Sequence, residues 1–372
     1  MHKSLSEAEV QVAGGGPAGL AAAIAARQAG FAVTVVDCAQ PPIDKACGEG
    51  IMPDGLAALR QLGVAIGPGQ AAPFRGIRFL DDEAQVEAGF PDGTGLGIRR
   101  TVLHQLLIDR ATETGVSLHW GTRITGLSTE GVAIGGRHVR CRWLLCADGH
   151  NSLLRRLAGL DLGHSAQRRF GFRQHYKVPP WSDCVEVHWS NCGQMYITPV
   201  SDNEICVALI IRGREVGFDE ALHQFSVLRP RLKDAAPGDR QLGALTITRR
   251  LPTVQLGNIA LIGEASGSVD AVTGEGLSMA FRQAIALAEA MRAGSLMEYE
   301  KAHRRIARLP RMMCTLMLAM DKHPHFRRRV FRALTSEPEY FRRLLALHTG
   351  AVSPLSFGLR ETVSLGWHLL AE

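Results

Sequence analysis

Three glycines near the N-terminus have the spacing of a turn that binds the pyrophosphate of a dinucleotide. They follow an apolar run and open an alanine-rich segment that ends near Gly30. In such a turn the first glycine allows the tight bend, the second lets the pyrophosphate approach the backbone, and the third lets helix and strand pack closely. The helix N-terminus then faces the phosphate charge. The predicted cofactor contacts in this turn are Gly14, Gly16, Pro17, Ala18 and Gly19.

An acidic residue follows this turn at the distance expected for a ribose contact. Asp37 lies 23 residues after Gly14, at the end of the β-branched run 31–36. Its carboxylate can accept hydrogen bonds from ribose hydroxyls and would repel a 2′-phosphate, which disfavours NADP at this position. The strand, turn, helix, strand and acid together predict a βαβ dinucleotide-binding unit.

A second pattern follows the apolar run that ends at residue 147, where Asp148, Gly149, Ser152 and Arg155 are regularly placed. It resembles the second motif of the flavoproteins related to p-hydroxybenzoate hydroxylase and geranylgeranyl reductase, the group A flavoprotein monooxygenase type. The resemblance implies that Asp148, Gly149 and Ser152 lie at the pyrophosphate or ribose of FAD. We expect Ser152 and Arg155 to cap and anchor the next helix. Alone, the segment is also typical of an ordinary strand-to-helix turn.

A third segment, 261–277, resembles the part of these flavoproteins that holds the ribitol and the flavin ring. The resemblance implies that Glu264, where the family has aspartate, contacts the ribitol. It also implies a helix start at the pyrimidine end of the flavin, where a helix N-terminus stabilises negative charge on the reduced ring. Residues 272–273 stand where the family commonly has prolines. The residues assigned to this helix start are Gly274, Gly276 and Leu277.

Arg100 begins a fourth pattern, Arg-x-x-Leu-x-x-x-Leu. The pattern resembles the family helix whose arginine reaches the cofactor, and Ile124 is assigned to the same cofactor site. The alternative is that the arginine pair is structural, with the neighbouring Arg99 as a solvated partner. The four patterns occur in the family's order along the chain, so the resemblance implies that FAD is the cofactor.

The segment 44–53 resembles the Lys-x-Cys-Gly loop of the geranylgeranyl reductase-like members, and the resemblance implies that Lys45, Cys47 and Gly48 lie beside the flavin ring. Glycines at 48 and 50 would let the backbone approach the ring closely. Cys47 is a candidate thiol near the flavin, although a small buried side chain fits this position equally. A surface pair between Lys45 and Glu49 is the alternative for those two residues.

The resemblance implies an oxidoreductase, and two enzymatic reactions are open. The favoured one is a monooxygenase that uses O₂ through a flavin C4a-hydroperoxide to hydroxylate or epoxidise a hydrophobic aromatic, polyketide or lipid-like substrate. The other is a flavin-dependent reduction of prenyl or polyketide double bonds. A second GxGxxG unit is not found, so NAD(P)H is expected as a transient reductant. A non-enzymatic redox sensor, with Cys47 or Cys38 as the responding thiol, is a more remote alternative.

Polar side chains in otherwise apolar strands are candidates for orienting the substrate or acting as a base. Each is also typical of an exposed strand residue. With the thiol of Cys47, the candidates are His175, His188, Gln194 and Tyr196.

The 372 residues must supply elements that hold these groups. Apolar runs separated by a helix predict a Rossmann-like nucleotide domain, whereas alternation of apolar and polar residues predicts an antiparallel sheet. We therefore expect an α/β (α+β) fold. Its predicted parts are a discontinuous FAD-binding domain (1–69, 99–165 and 251–295), an inserted mostly antiparallel substrate sheet (70–98 and 166–250) and a helical C-terminal region (296–372).

The basic charge is concentrated in one segment. The chain has 42 Lys and Arg against 36 Asp and Glu, and residues 301–343 hold 12 basic and 3 acidic residues of these. This segment has apolar residues at helical spacing, so it either lies on an anionic membrane surface or packs its apolar face on the nucleotide domain. No nucleic-acid recognition pattern accompanies the charge.

Eight cysteines lack a CxxC pair and metal-ligand spacing, so no metal site is predicted. The longest apolar run, Met312–Met320, has nine residues and is too short to cross a bilayer. The expected location is the cytoplasm, with contact between residues 301–343 and a membrane surface as an open alternative.

Overall fold

The computed structural model describes residues 8–128, 131–213 and 217–352, and for 164–167 it describes the backbone alone. Its strands, in chain order, are β1 Ala8–Ala13, β2 Val33–Val36, β3 Gly50–Ile51, β4 Ala72–Phe74, β5 Gly76–Leu80, β6 Gln85–Gly89, β7 Gly95–Gly97, β8 Ser117–His119, β9 Ile124–Leu127, β10 Gly131–Ile134, β11 Arg137–Cys146, β12 His164–Lys177, β13 Cys184–Trp189, β14 Gly193–Ser201, β15 Glu204–Ile211, β16 Ala236–Pro237, β17 Leu242–Arg250, β18 Gln255–Leu256 and β19 Ile259–Leu261.

The helices lie between and after these strands. In chain order they are α1 Pro17–Gln28, α2 Pro53–Gln61, α3 Arg100–Glu113, α4 Leu153–Leu157, α5 Phe218–Leu222, α6 Arg229–Leu232, α7 Gly276–Arg292, α8 Leu296–Ile306, α9 Arg308–Lys322, α10 Pro324–Ser336 and α11 Pro338–His348, with 3₁₀ turns at Gly263–Ser266 and Ala271–Thr273.

The first large sheet has the strand order β18-β19-β11-β1-β2-β8. β1 pairs in parallel with β2 and β11, and α1 forms the connection from β1 to β2. β1 and β2 are buried almost throughout. This burial explains why their sequences are mostly continuous apolar runs rather than alternating ones. The carboxyl ends of β1, β2 and β11 lie side by side, and the glycine turn and Asp148 follow two of them.

The second large sheet has the order β16-β12-β15-β14-β13-β5-β6 and is antiparallel except where β5 pairs with β13. A row of facing residues crosses it from Arg173 through Ala208, Tyr196 and Val187 to Phe79, so these side chains share one face. We call this face the inner face. A small sheet, β3-β7-β4, lies between the two large ones. The predicted division into domains stays our proposal.

The opposite, outer face of the second sheet is covered by short helices. Phe218 of α5 and Leu232 of α6 pack with Val207 and Leu209 in one apolar cluster. The apolar and polar alternation of these strands therefore reflects two buried faces with different partners, rather than one buried and one solvated face.

The C-terminal helices pack their apolar side on the inner face. Met317, Phe331 and Phe341 join one cluster with Trp189 and with partly buried Phe79. The alternative that this side packs on the nucleotide domain holds only for the start of the segment. Ile306 and Ala307 pack with Met279 of α7, whereas α9–α11 cover the apolar end of the inserted sheet. Residues 353–372 of the predicted helical region lie outside the described residues.

Burial of this side also removes the apolar surface that a membrane-embedded helix would need. The large apolar side chain most exposed in the described part of 301–343 is Met312, at 46%. The helices of the described ranges are also too short or too polar for any of them to traverse a bilayer.

Candidate cofactor site

The glycine turn shows two kinds of glycine. At Gly14 (φ +109°) a Cβ would lie 2.3 Å from the Ala147 carbonyl oxygen, and at Gly19 it would lie 1.8 Å from the Gly14 carbonyl oxygen. At Gly16 a Cβ would meet no atom within 4 Å. Packing therefore requires glycine at the first and third positions, whereas the second leaves an open approach to the N-terminus of α1, where Pro17 and Ala18 begin the helix.

Asp37 holds this turn in place. Its Oδ2 accepts a hydrogen bond from the Gly15 amide at 2.6 Å, and its Oδ1 accepts one from the Ala39 amide at 2.8 Å. Each carboxylate oxygen has two lone-pair directions, so the ribose contact we proposed for Asp37 is compatible with these bonds.

His104 of α3 supports the same turn and was missed from the sequence. Its Nε2 lies 2.8 Å from the Gly15 carbonyl oxygen, and its Nδ1 lies 3.2 Å from the Ile43 amide. Burial lowers the pKa of His104, which favours the neutral ring that donates through Nε2 and accepts at Nδ1. The histidine thus ties the glycine turn to the start of the segment 44–53.

The second motif caps a helix. Asp148 accepts hydrogen bonds from the Ser152 hydroxyl and the Leu154 amide, and the Ser152 oxygen accepts one from the Arg155 amide. The buried Arg155 guanidinium donates to Asp161 and to the Ala265 carbonyl. The expected capping and anchoring are confirmed, and Arg155 joins this motif to the third one. A role for Asp148 at FAD stays a proposal.

Lys45 and Gly149 come together in the structure. The Lys45 Nζ lies 3.7 Å from where a Cβ would stand on Gly149, whose φ is +81°. Two segments about a hundred residues apart in the chain therefore meet beside the carboxyl end of β11.

The third motif has open space at its helix start. Neither Gly274 nor Gly276 has an atom within 4 Å of the position a Cβ would take, and Gly276 begins α7, with Leu277 in its first turn. Glu264 stands exposed in the 3₁₀ turn Gly263–Ser266. The Tyr196 hydroxyl donates to the Val272 carbonyl at 2.7 Å, which connects the inserted sheet to this helix start.

Arg100 and Arg99 have different partners. Arg100 begins α3, and its Nε is buried without a hydrogen-bond partner among the described residues. Arg99 instead pairs with Glu204 at 2.7 Å and Asp239 at 2.8 Å. An unsatisfied buried donor costs free energy, so the Arg100 guanidinium fits contact with a bound anionic cofactor. Ile124 begins β9 and packs against the core of the first sheet.

The loop 44–50 is clamped by Glu49. Glu49 has φ +60° and is 2% exposed. Among the described residues, no other non-glycine residue has a positive φ. Its Oε1 accepts from the Arg100 amide at 2.8 Å, and its Oε2 lies 2.6 Å from His175 Nε2. The surface pair of Glu49 with Lys45 was therefore wrong. Gly48 remains open, with no atom within 4 Å of a Cβ.

His175 lies at the centre of a charged cluster between this loop and β12. Its Nδ1 is 2.9 Å from Asp239, which also accepts from Arg173 and Arg99. Arg173 reaches Asp44 at 2.6 Å, and Lys177 reaches Glu204 at 3.0 Å. Burial alone would raise the pKa of Asp239, but His175 and the arginines lower it below its ordinary value. We name these residues the loop cluster: Asp44, Glu49, Arg99, Arg173, His175, Lys177, Glu204 and Asp239.

A short hydrogen bond places a proton in the loop cluster. Four acidic and three permanently basic side chains surround His175, and its Nε2 lies 2.6 Å from Glu49 Oε2, so one proton lies between these two side chains. The nearby Cys206 thiol is not a charged partner, since burial raises its pKa and its Sγ donates to the Cys47 carbonyl. Cys206, Glu49 and His175 have donor atoms within 4.8 Å of one another. We interpret the 2.6 Å contact of the last two as a hydrogen bond between them.

The other sequence candidates separate by sheet face. Gln194 and Tyr196 lie on the inner face with His175. Gln194 is buried between Arg169 and Asp321, which both bond to its amide. His188 lies on the outer face, bonded to Glu186 at 2.9 Å. None of the three is an exposed strand residue, and the structure does not bring His188 to the loop.

Comparison with known proteins identifies the family. Residues 7–208 match the family model described as FAD binding domain. The chain belongs to this family. It is an FAD-dependent oxidoreductase, which confirms the resemblance and the predicted cofactor.

Three curated relatives match three-quarters or so of the chain. Menaquinone reductase of Mycolicibacterium smegmatis is 28% identical, over 80% of this chain and 79% of its own. Digeranylgeranylglycerophospholipid reductase 1 of Methanopyrus kandleri is 28% identical, over 74% and 77%. The putative FAD-dependent monooxygenase YetM of Bacillus subtilis is 26% identical, over 75% and 83%.

Solved structures agree on the fold. A flavoprotein/dehydrogenase from Cytophaga hutchinsonii has a TM-score of 0.81 at 18% identity and covers 97% of this chain and 96% of its own. A geranylgeranyl bacteriochlorophyll reductase-like protein from Thermoplasma acidophilum has a TM-score of 0.71 at 16% identity, with coverage of 99% and 97%. The predicted mixed α/β fold with a helical C-terminal region is confirmed.

The open position at Gly16 generates a prediction. Gly16→Val should raise the dissociation constant of FAD at least about tenfold, since the side chain would occupy the approach to the α1 N-terminus. The matched control is Gly217→Val, because Gly217 is also an extended helix N-cap with no atom within 4 Å of a Cβ. Flavin fluorescence titration measures both. Equal FAD affinity in the two variants would show that Gly16 does not face the cofactor.

Proposed function

We propose that the protein saturates a carbon–carbon double bond of a hydrophobic, prenyl-type small molecule. The observation that carries this proposal is the 2.6 Å contact of Glu49 with His175, which holds a proton on the loop that the family resemblance assigns to the flavin ring. Saturation of a double bond needs a hydride on one carbon and a proton on the other. The names of the menaquinone and digeranylgeranylglycerophospholipid reductases support a prenyl-lipid substrate.

FAD supplies the hydride when it is bound and reduced, and we propose that NAD(P)H reduces it transiently. The proposed cofactor residues are the glycine turn with Asp37, Lys45, Cys47 and Gly48 of the loop, Arg100, Ile124, Asp148, Gly149, Ser152, Glu264, Gly274, Gly276 and Leu277.

The protein's own residues then manage the proton. His175 Nε2 and Glu49 Oε2 share it, while Asp239 holds the ring from the Nδ1 side. Arg173 donates to both Asp239 and Asp44, and these two bonds join the loop to the sheet. Tyr196 and Gln194 of the inner face, with Val187 beside them, are the proposed substrate-facing residues. Gln194 and Val187 are buried and Tyr196 is partly buried, which limits the access of water to this part of the site.

Oxygen transfer is the second candidate. The relative YetM is named a putative FAD-dependent monooxygenase, and this architecture is shared by both kinds of enzyme. In that case O₂ is the second substrate, and a hydrophobic aromatic, polyketide or lipid-like molecule receives one of its atoms. The sequence alone favoured oxygen transfer. We place double-bond reduction first because two relatives that match most of the chain are named reductases.

The two reactions are separated by a product analysis. With holoenzyme, NADH or NADPH, and menaquinone or a geranylgeranyl lipid, we expect substrate-dependent NAD(P)H oxidation without O₂. The product should carry two additional hydrogen atoms in its prenyl chain, measured by mass spectrometry after the quinone ring is reoxidised. A product formed only in air, and heavier by one oxygen atom, would establish the monooxygenase instead. If no electron donor reduces the flavin and no lipid accelerates its reduction, the remaining interpretation is the non-enzymatic redox sensor.

The loop cluster gives a second test. His175→Gln keeps a donor toward Glu49 but cannot transfer a proton, so turnover should fall about 10²- to 10⁴-fold, as for loss of a general acid. His188→Gln is the matched control, because His188 is also buried and paired with a glutamate but lies on the outer face. Turnover and FAD content are measured for both. If the two variants retain the same turnover, His175 does not supply the proton.

Contact with a membrane surface is proposed on charge alone, since the apolar side of the C-terminal helices is buried. We expect the protein to sediment with phosphatidylglycerol vesicles at low salt and to be released at high salt. Reversing Arg305 and Arg308 to Glu should abolish this binding, whereas the control reversal of exposed Arg137 and Arg240 should not. If the wild type sediments equally with phosphatidylcholine and with phosphatidylglycerol vesicles, the proposal is contradicted.

A further inference from the structure

A buried carboxyl group lies between the two open glycines of the third motif. Glu275 precedes the first residue of α7 and is 1% exposed. Neither of its carboxyl oxygens accepts a hydrogen bond from the part of the chain that the structure describes. The contact it does make is with His348 of α11, whose Nε2 lies 3.3 Å from Oε1. No other function of this site uses the group.

A second carboxyl group faces it from α2. Asp54 Oδ2 lies 3.3 Å from Arg282 Nη1, whereas its Oδ1 is buried and has no hydrogen-bond partner among the described residues. Burial raises the pKa of both carboxyl groups, and the charge of Asp54 raises that of Glu275 further. We call Asp54 and Glu275 the carboxyl pair.

The groups that face the carboxyl pair fix its proton count. They are Arg282 from α7 and His348 from α11. Burial lowers the pKa of His348 to about 4, so its ring is neutral near pH 7, and its Nε2 also lies 3.3 Å from the Thr273 carbonyl oxygen. One cation then faces two carboxyl groups. One shared proton makes the set neutral, with Glu275 protonated and Asp54 ionised beside Arg282.

We propose that the carboxyl pair takes up a second proton when the bound FAD is reduced. Two electrons and one proton convert FAD to its anionic reduced form, and the family resemblance places the new negative charge at the N-terminus of α7. A proton from solvent then binds the remaining carboxylate, so the set gains one positive charge that compensates the flavin. Asp54 is 13% exposed and Arg282 36%, which gives the proton a route from solvent.

This inference rests on FAD binding and is independent of which substrate the enzyme uses. Glu275 and Asp54 would therefore be positioning residues for the flavin's charge rather than groups that touch the substrate. If the protein does not reduce a double bond, the proton uptake by the carboxyl pair can still be correct. If the carboxyl pair takes up no proton, the proposed reaction can still be correct.

The test is the pH dependence of the flavin midpoint potential in the holoenzyme. Dithionite titration with reference dyes measures it across the neutral pH range. One additional proton for two electrons makes the potential fall by about 30 mV more per pH unit. We expect this steeper slope in the wild type and its loss in the double variant Asp54→Asn/Glu275→Gln, which keeps the shape of both side chains but removes both carboxyl groups. Glu275→Gln alone resembles the protonated glutamate, so it should keep the slope, because Asp54 can still take up the second proton.

The matched control is Glu186→Gln. Glu186 is likewise a buried glutamate next to a histidine, His188, but it lies on the outer face of the second sheet. Its variant should keep the wild-type slope. Equal slopes in the wild type and the double variant would overturn the inference. So would a wild-type slope of only about 30 mV per pH unit, because the flavin's own proton accounts for that much.

Discussion

The buried carboxylate of Glu49 is the constraint on which the arrangement of the site depends. A charge taken out of water must be paired, and loss of one partner of a buried pair costs about 3 to 5 kcal/mol. Glu49 also adopts a left-handed backbone, which costs a non-glycine residue roughly 1 to 2 kcal/mol. The chain accepts that cost because the carboxylate then reaches the Arg100 amide and His175 together. The loop, the start of α3 and the inserted sheet are thereby held in one geometry.

The sequence predicted those parts of the site that are local in the chain. The spacing of Gly14, Gly16 and Gly19 alone predicts the turn. Asp148 and Ser152 predict a helix cap, since a cap is formed within a few residues. Glu49, His104 and Glu275 were missed as site residues. Their partners are His175, Gly15 and His348, about 70 to 130 residues away. No periodicity within one segment encodes such a pairing.

His175 and His188 show the same limit inside one sheet. Both are polar residues in apolar strands, and local alternation gives them the same interpretation. They are distinguished by strand register: His175 faces Cys206 on the inner face, whereas His188 faces Met195 on the outer one. Likewise, the helical spacing of the C-terminal apolar residues predicted an apolar side but could not say what covers it, because the surface it covers is formed by β5, β6 and β13.

The inner face is divided along the boundary between β13 and β14. On one side are hydrogen-bonding groups anchored to the loop and the helix start, and on the other are apolar side chains of β13, β5 and β6 covered by α9–α11. Substitutions in α9–α11 can therefore reshape the apolar half without touching a partner of Glu49. During evolution such a division would let the volume of the apolar half change while the contacts that hold the loop are inherited unchanged.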